Sequence, residues 1–155
     1  MAISKEQIYE MLDRQVDSLL ENEQDRIANS ANFSALVFDN LDDINWCGFY
    51  FLHGEELVLG PFQGKPACVR IPMGKGVCGT AAALCETQVV KNVHEFAGHI
   101  ACDSASNSEI VVPLVKDGQL IGVLDIDSPD YSRFDDTDRS GIEQMVETFI
   151  KQTEF

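Results

Sequence analysis

The chain has 155 residues, 11 Lys plus Arg against 26 Asp plus Glu, and a formal net charge of −15, with 45% hydrophobic residues. That is the length of one ordinary domain, and the apolar share excludes a disordered chain. The acidity argues against nucleic acid, which Lys- and Arg-rich surfaces bind, and no stretch approaches the ~18 apolar residues of a membrane span.

The opening residues Met1 to Glu6 contain no apolar run, so no export signal is read and the cytoplasm is expected. The cysteines, Cys47, Cys68, Cys78, Cys85 and Cys102, should then be reduced, with any disulfide transient. They form no CxxC pair and no zinc-ligand spacing with histidine, so no metal site is expected from them.

Ser4 and Gln7 make a capping box, after which Ile8, Leu12, Val16, Leu19 and Leu20 recur at helical spacing. A second helix is predicted over roughly Gln24 to Leu41, weakened by Asn and Ser in its middle. Asn45 to Leu52 reads as a strand, with Trp46 and Tyr50 on one face and Cys47, Phe49 and Phe51 on the other. After a turn at His53–Glu56, Leu57 to Phe62 returns as a hairpin partner, and Val69 to Ile71 is a further short strand. Gly74 to Thr80 reads as a glycine-rich turn into a short helix, Ala81 to Glu86. Val89 and Val90 begin another strand before a long polar loop, Asn92 to Ser108. Glu109 to Val115 and Gln119 to Asp127 form a hairpin about Asp117-Gly118, and a last helix runs from about Asp136 to Lys151. The prediction is a single α+β domain over residues 1–155. Its antiparallel sheet carries the N- and C-terminal helices on one face and a pocket on the other.

Asp125 and Asp127, two apart on a strand, point the same way. Counted from Lys116 and Gln119 as closing positions, Glu109 pairs near Ile126, between them. Either the strand end has reached water, or three carboxylates form a patch in which at least one is held protonated. Such a patch suits a hard cation, an ammonium group or proton donation. Cys102 stands in a polar loop of small residues within reach of this patch. Cys78 precedes a helix start and Cys68 lies between Lys65 and Arg70, settings that favour thiolate. Cys47 reads as core and Cys85 as inert. Trp46 and Tyr50 are core or pocket wall. The glycine-rich turn lacks the Gly-Lys-Ser/Thr order of a phosphate loop.

The stretches Asn45-Trp46-Cys47-Gly48-Phe49-Tyr50, Gly60 to Cys68, Gly76-Val77-Cys78-Gly79-Thr80, His99 to Asp103, Ser106 to Val111 and Gly122 to Ser128 together resemble the free methionine-(R)-sulfoxide reductases, which are single GAF domains. The resemblance implies that Cys102 is the nucleophile and that Cys68 and Cys78 are recycling cysteines. It implies that Glu109, Asp125 and Asp127 form the acidic substrate site and that Trp46 and Tyr50 wall it. It further implies thioredoxin as electron donor, a homodimer, and chemistry with no metal or organic cofactor. The competing readings are a ligand-sensing GAF domain, a cysteine-based redox sensor and a metal-binding acidic protein. A sensor module ordinarily adjoins an output domain, for which 155 residues leave no room.

Overall fold

The computed structural model describes residues 2–99 and 105–155, so Cys102 lies outside the described residues. Helix α1 (Lys5–Leu20) starts at the predicted box: Ser4 Oγ accepts from the Gln7 N–H, and Gln7 Oε1 accepts from the Ser4 N–H. Its buried stripe is Tyr9, Leu12, Val16 and Leu20, while the expected Leu19 is 44% exposed. Helix α2 (Arg26–Asn40) keeps its polar middle because those side chains are bonded. Asn29 Nδ2 donates to Glu23 O and Thr153 Oγ1, and Ser30 Oγ donates to Arg26 O.

The strands are β1 (Trp46–His53), β2 (Glu56–Gly64), β3 (Arg70–Pro72), β4 (Gln88–Val90), β5 (Ser108–Lys116) and β6 (Gln119–Ser128). They form an antiparallel sheet in the order β3-β2-β1-β6-β5-β4. One face carries Cys47, Phe49, Phe51, Ile110, Val112, Leu124 and Ile126. It packs against α1, α2 and the C-terminal helix α4 (Asp136–Gln152) through Leu12, Val16, Phe33, Met145 and Phe149. The opposite face carries Trp46, Tyr50, Val111 and Val123 and meets α3 (Gly76–Leu84) through Val77, Cys78, Ala81 and Ala82. This is the predicted division of the sheet.

Two features differ from the sequence reading. Helix α3 begins at Gly76, not Ala81, so Cys78 lies inside its first turn. Glycine at 79 serves packing rather than a turn. A Cβ there would come within 2.6 Å of the Pro72 carbonyl, so only glycine lets α3 sit this close to β3. The second difference is a bulge between Leu114 and Val115. It places Glu109 directly opposite Asp127 instead of Ile126, and it sends Ile121 to the helix-covered face.

The long loop before β5 contains a short 3-10 turn, Val93–Glu95, whose Val93 is buried in the pocket-side core. Helix α4 is tied to α1 by Asp138, which is fully buried. Asp138 accepts from Tyr9 Oη at 2.7 Å and pairs with Lys5 at 2.9 Å and Arg133 at 3.1 Å.

Candidate active site

The sheet register assembles the acidic patch. Trp46, Asp127, Glu109 and Val90 align across β1, β6, β5 and β4. Two residues along, Gly48, Asp125 and Val111 form the next row. Because side chains of alternate residues share a face, all three carboxylates emerge on the α3 side. Glu109 and Asp125 are 7% and 6% exposed, so this strand end has not reached water.

Helix α3 closes the patch from above. One ligand atom each of Cys78, Glu109 and Asp125 lie within 4.8 Å of one another. Burial, the charge of Asp127, the neighbouring Cys78 and the charge of Glu109, with a Glu109 hydrogen bond, hold the Asp125 carboxyl well above the usual carboxylate range. The raised carboxyl favours the protonated form, and among the described residues Asp125 Oδ1 has no hydrogen-bond partner. The expectation that a helix N-terminus makes Cys78 a thiolate fails. Burial first, then the charges of Glu109 and Asp127, push its thiol well above the ordinary value, against a hydrogen bond with Asp125. These three side chains are the group among the described residues close enough to share a cation. Binding a cation there would require the raised thiol and carboxyl to give up their protons.

The aromatic wall stands on β1. Trp46 stacks on Tyr50, with ring centroids 6.0 Å apart, and on Phe62 at 5.1 Å. Gly48 makes this possible. A Cβ there would overlap that of Phe62 and come within 2.8 Å of the indole. Trp46 Nε1 donates to the Lys65 carbonyl at 3.0 Å, and Tyr50 Oη donates to the Cys68 carbonyl at 3.0 Å. Burial and the nearby carboxylates push the Tyr50 phenol upward, so it stays a donor.

Cys68 is disulfide-bonded, whereas Cys47, Cys78 and Cys85 are free. Cys47 is core, as expected, and its thiol is pushed up by burial and Asp127. Cys85 is the exposed C-cap of α3 in the left-handed conformation. The cation beside Cys68 is already paired: Arg70 meets Glu56 at 2.7 Å.

Trp46, Tyr50, Cys78, Glu109, Asp125 and Asp127 line one small cavity of about 40 Å³. A GAF domain model matches residues 16–154. The chain is 56% identical over 144 residues to a free methionine-R-sulfoxide reductase of Escherichia coli K12, covering 93% of this chain and 87% of that one. The chain belongs to the free methionine-R-sulfoxide reductase family of GAF domains.

Two solved structures extend the similarity of this GAF-domain reductase. One is the fRMsr of Staphylococcus aureus in complex with substrate, with TM-score 0.90 and 58% identity, covering 93% of this chain and 94% of that chain. The other is the free methionine-R-sulfoxide reductase of Neisseria meningitidis in complex with its substrate, with TM-score 0.93 and 44% identity, covering 98% and 92%. Six of the residues singled out from the sequence line this cavity, and the structure adds others to it. Lys75 and Gly76, at the start of α3, line the same cavity with His99 and Ser106. Lys75 makes no side-chain cap, and no acceptor among the described residues meets the first N–H groups of α3. The signal was the Gly74-Lys75-Gly76 stretch itself, a cation beside backbone donors, which was read only as a turn.

Proposed function

We propose that the protein reduces free L-methionine-(R)-sulfoxide to L-methionine, with Cys102 as nucleophile. The observation that carries this reading is Asp125, a buried carboxyl raised above the usual range, with an oxygen unpartnered among the described residues, in a small cavity walled by aromatic rings. Such an acid can donate a proton to a departing oxygen. The relatives named as free methionine-R-sulfoxide reductases, two of them solved with substrate, support the same chemistry.

The steps balance without a metal or organic cofactor. The Cys102 sulfur attacks the sulfoxide sulfur, and the oxygen, protonated from the acidic patch, passes to Cys102. Methionine leaves with its sulfur reduced, and Cys102 becomes a sulfenic acid. A second thiol displaces hydroxide as water, giving a disulfide. Two electrons from the thioredoxin dithiol then restore both thiols. The oxidised state of Cys68 favours it as the resolving partner, since Cys78 is a free, buried thiol of raised pKa.

The substrate's methyl group lies against Trp46 and Tyr50. Its ammonium meets the remaining charge of Glu109 and Asp127. Its carboxylate faces the uncapped first turn of α3 and Lys75, where the helix dipole favours an anion. As the family resemblance implies, the working form is a cytoplasmic homodimer reduced by thioredoxin. No helix among the described residues is long and apolar enough to cross a membrane.

The test supplies racemic free methionine sulfoxide with thioredoxin, its reductase and NADPH. NADPH loss should stop when half the racemate is consumed. Consumption of both isomers, or of neither, refutes the proposal.

A further inference from the structure

The polar atoms of the aromatic wall do not serve the cavity. Trp46 Nε1 and Tyr50 Oη both donate to the backbone of one short connection, residues 65–69, which joins β2 to β3. That connection carries Cys68. Its far end is fixed by the sheet, where the Leu59 N–H donates to the Val69 carbonyl at 2.9 Å. Its near end is fixed by Trp46 on Lys65, and the cysteine itself is held by Tyr50 Oη on its own carbonyl at 3.0 Å. Both donors stand on β1, an interior strand of the sheet, and each is 2% exposed. They are therefore far stiffer than the loop they hold.

We propose that Tyr50 is a positioning residue for recycling: its hydroxyl, acting through the Cys68 carbonyl, holds the Cys68 thiol in place for attack on the oxidised nucleophile. The inference rests on the reading of Cys68 as the resolving cysteine. Disulfide formation needs the attacking sulfur aligned with the sulfur–oxygen bond that breaks. The rate then follows the fraction of time the loop spends in that geometry. The same side chain thus has two separable parts. The ring stacks on Trp46 beside the substrate, and the oxygen sets the second chemical step.

Tyr50→Phe keeps the ring and removes the oxygen. Fully reduced enzyme is mixed rapidly with free (R)-sulfoxide and no external reductant. Methionine release is followed by quenching, and sulfenic acid and disulfide by dimedone trapping and mass spectrometry. The ratio of the disulfide-forming rate to the methionine-forming rate should fall roughly three- to tenfold, the worth of one hydrogen bond, with trapped sulfenic acid rising to match. In a Cys68→Ser background the same substitution should add no selective slowing of sulfenic acid loss, because the group it positions is gone. An unchanged ratio in Tyr50→Phe overturns the proposal, as does selective slowing that persists without Cys68. A wild-type enzyme that releases no methionine before reductant is added refutes the thiol mechanism itself, a result separate from either.

Discussion

Asp125→Asn should make the protein less active and more stable at neutral pH. The aspartate is 6% exposed and lies with Glu109 and Cys78 in a cluster whose ligand atoms are within 4.8 Å. Two full charges at 4.8 Å repel by roughly 3 kcal/mol at an effective dielectric constant of 20. Burial first, and like charge of this kind second, raise the Asp125 carboxyl, and a raised carboxyl costs stability at a pH above the ordinary aspartate value of 3.8. Because the folded-state pKa is raised, the native state binds more protons than the unfolded one across this window. Stability therefore falls as pH rises from the unfolded value through the raised folded value. Asparagine is neutral in both states, nearly isosteric, and its amide can donate to Glu109. By linkage the stabilisation is about 1.4 kcal/mol for each pH unit above the ordinary aspartate value over which Asp125 stays protonated, with a Tm gain of about 2–4 °C per kcal/mol realised. It should shrink towards zero as pH drops to about 4. Loss of the proton donor should cost about 10²- to 10⁴-fold in methionine release. The assays are a thermal melt at pH 4 and pH 8 and a single-turnover quench. A normal rate would refute the proton-donor role, and a lower Tm at both pH values would refute the raised carboxyl.

Cys102→Ser should abolish even one turnover, whereas Cys68→Ser and Cys78→Ser should each release about one methionine per enzyme before stalling or slowing; counting methionine before reductant is added decides it. N-acetylated and peptide-bound (R)-sulfoxide should lose orders of magnitude in kcat/KM against the free amino acid. Removing the ammonium removes the charge that the acidic patch would meet, and comparable values would show that the patch does not read the amine. Gly48→Ala should raise KM and lower stability by about 1–3 kcal/mol, because its methyl displaces Phe62 and the Trp46 ring; an unchanged KM would refute the wall assignment. Asp138→Ala should cost about 3–5 kcal/mol, measured by denaturant melt, by leaving Arg133, Lys5 and the Tyr9 hydroxyl without their shared acceptor.

The sequence alone determined the element order and the two faces of the sheet. Those follow from local rules: the Ser4 capping box, the period-two alternation around Trp46 and Tyr50, and the Asp-Gly turn joining β5 to β6. It also brought Glu109, Asp125 and Asp127 together, because a hairpin fixes which residues lie side by side. The exact pairing was out of reach. One bulge at Leu114–Val115 moves Glu109 opposite Asp127, and nothing in a strand's alternation announces an inserted residue. Only the tertiary structure decided the chemistry of Cys78. Its position in the first turn of α3 suggests an acidic thiol, but the helix presses it against carboxylates on two other strands, and burial with like charge raises it instead. The early start of α3 has the same origin. Gly79 is read locally as a turn, yet what it provides is the close approach to Pro72 that brings the helix over the site. The second duty of Tyr50 was likewise invisible in the sequence. A strand pattern shows which face a ring occupies, and only the path of residues 65–69 across that face shows where its oxygen goes.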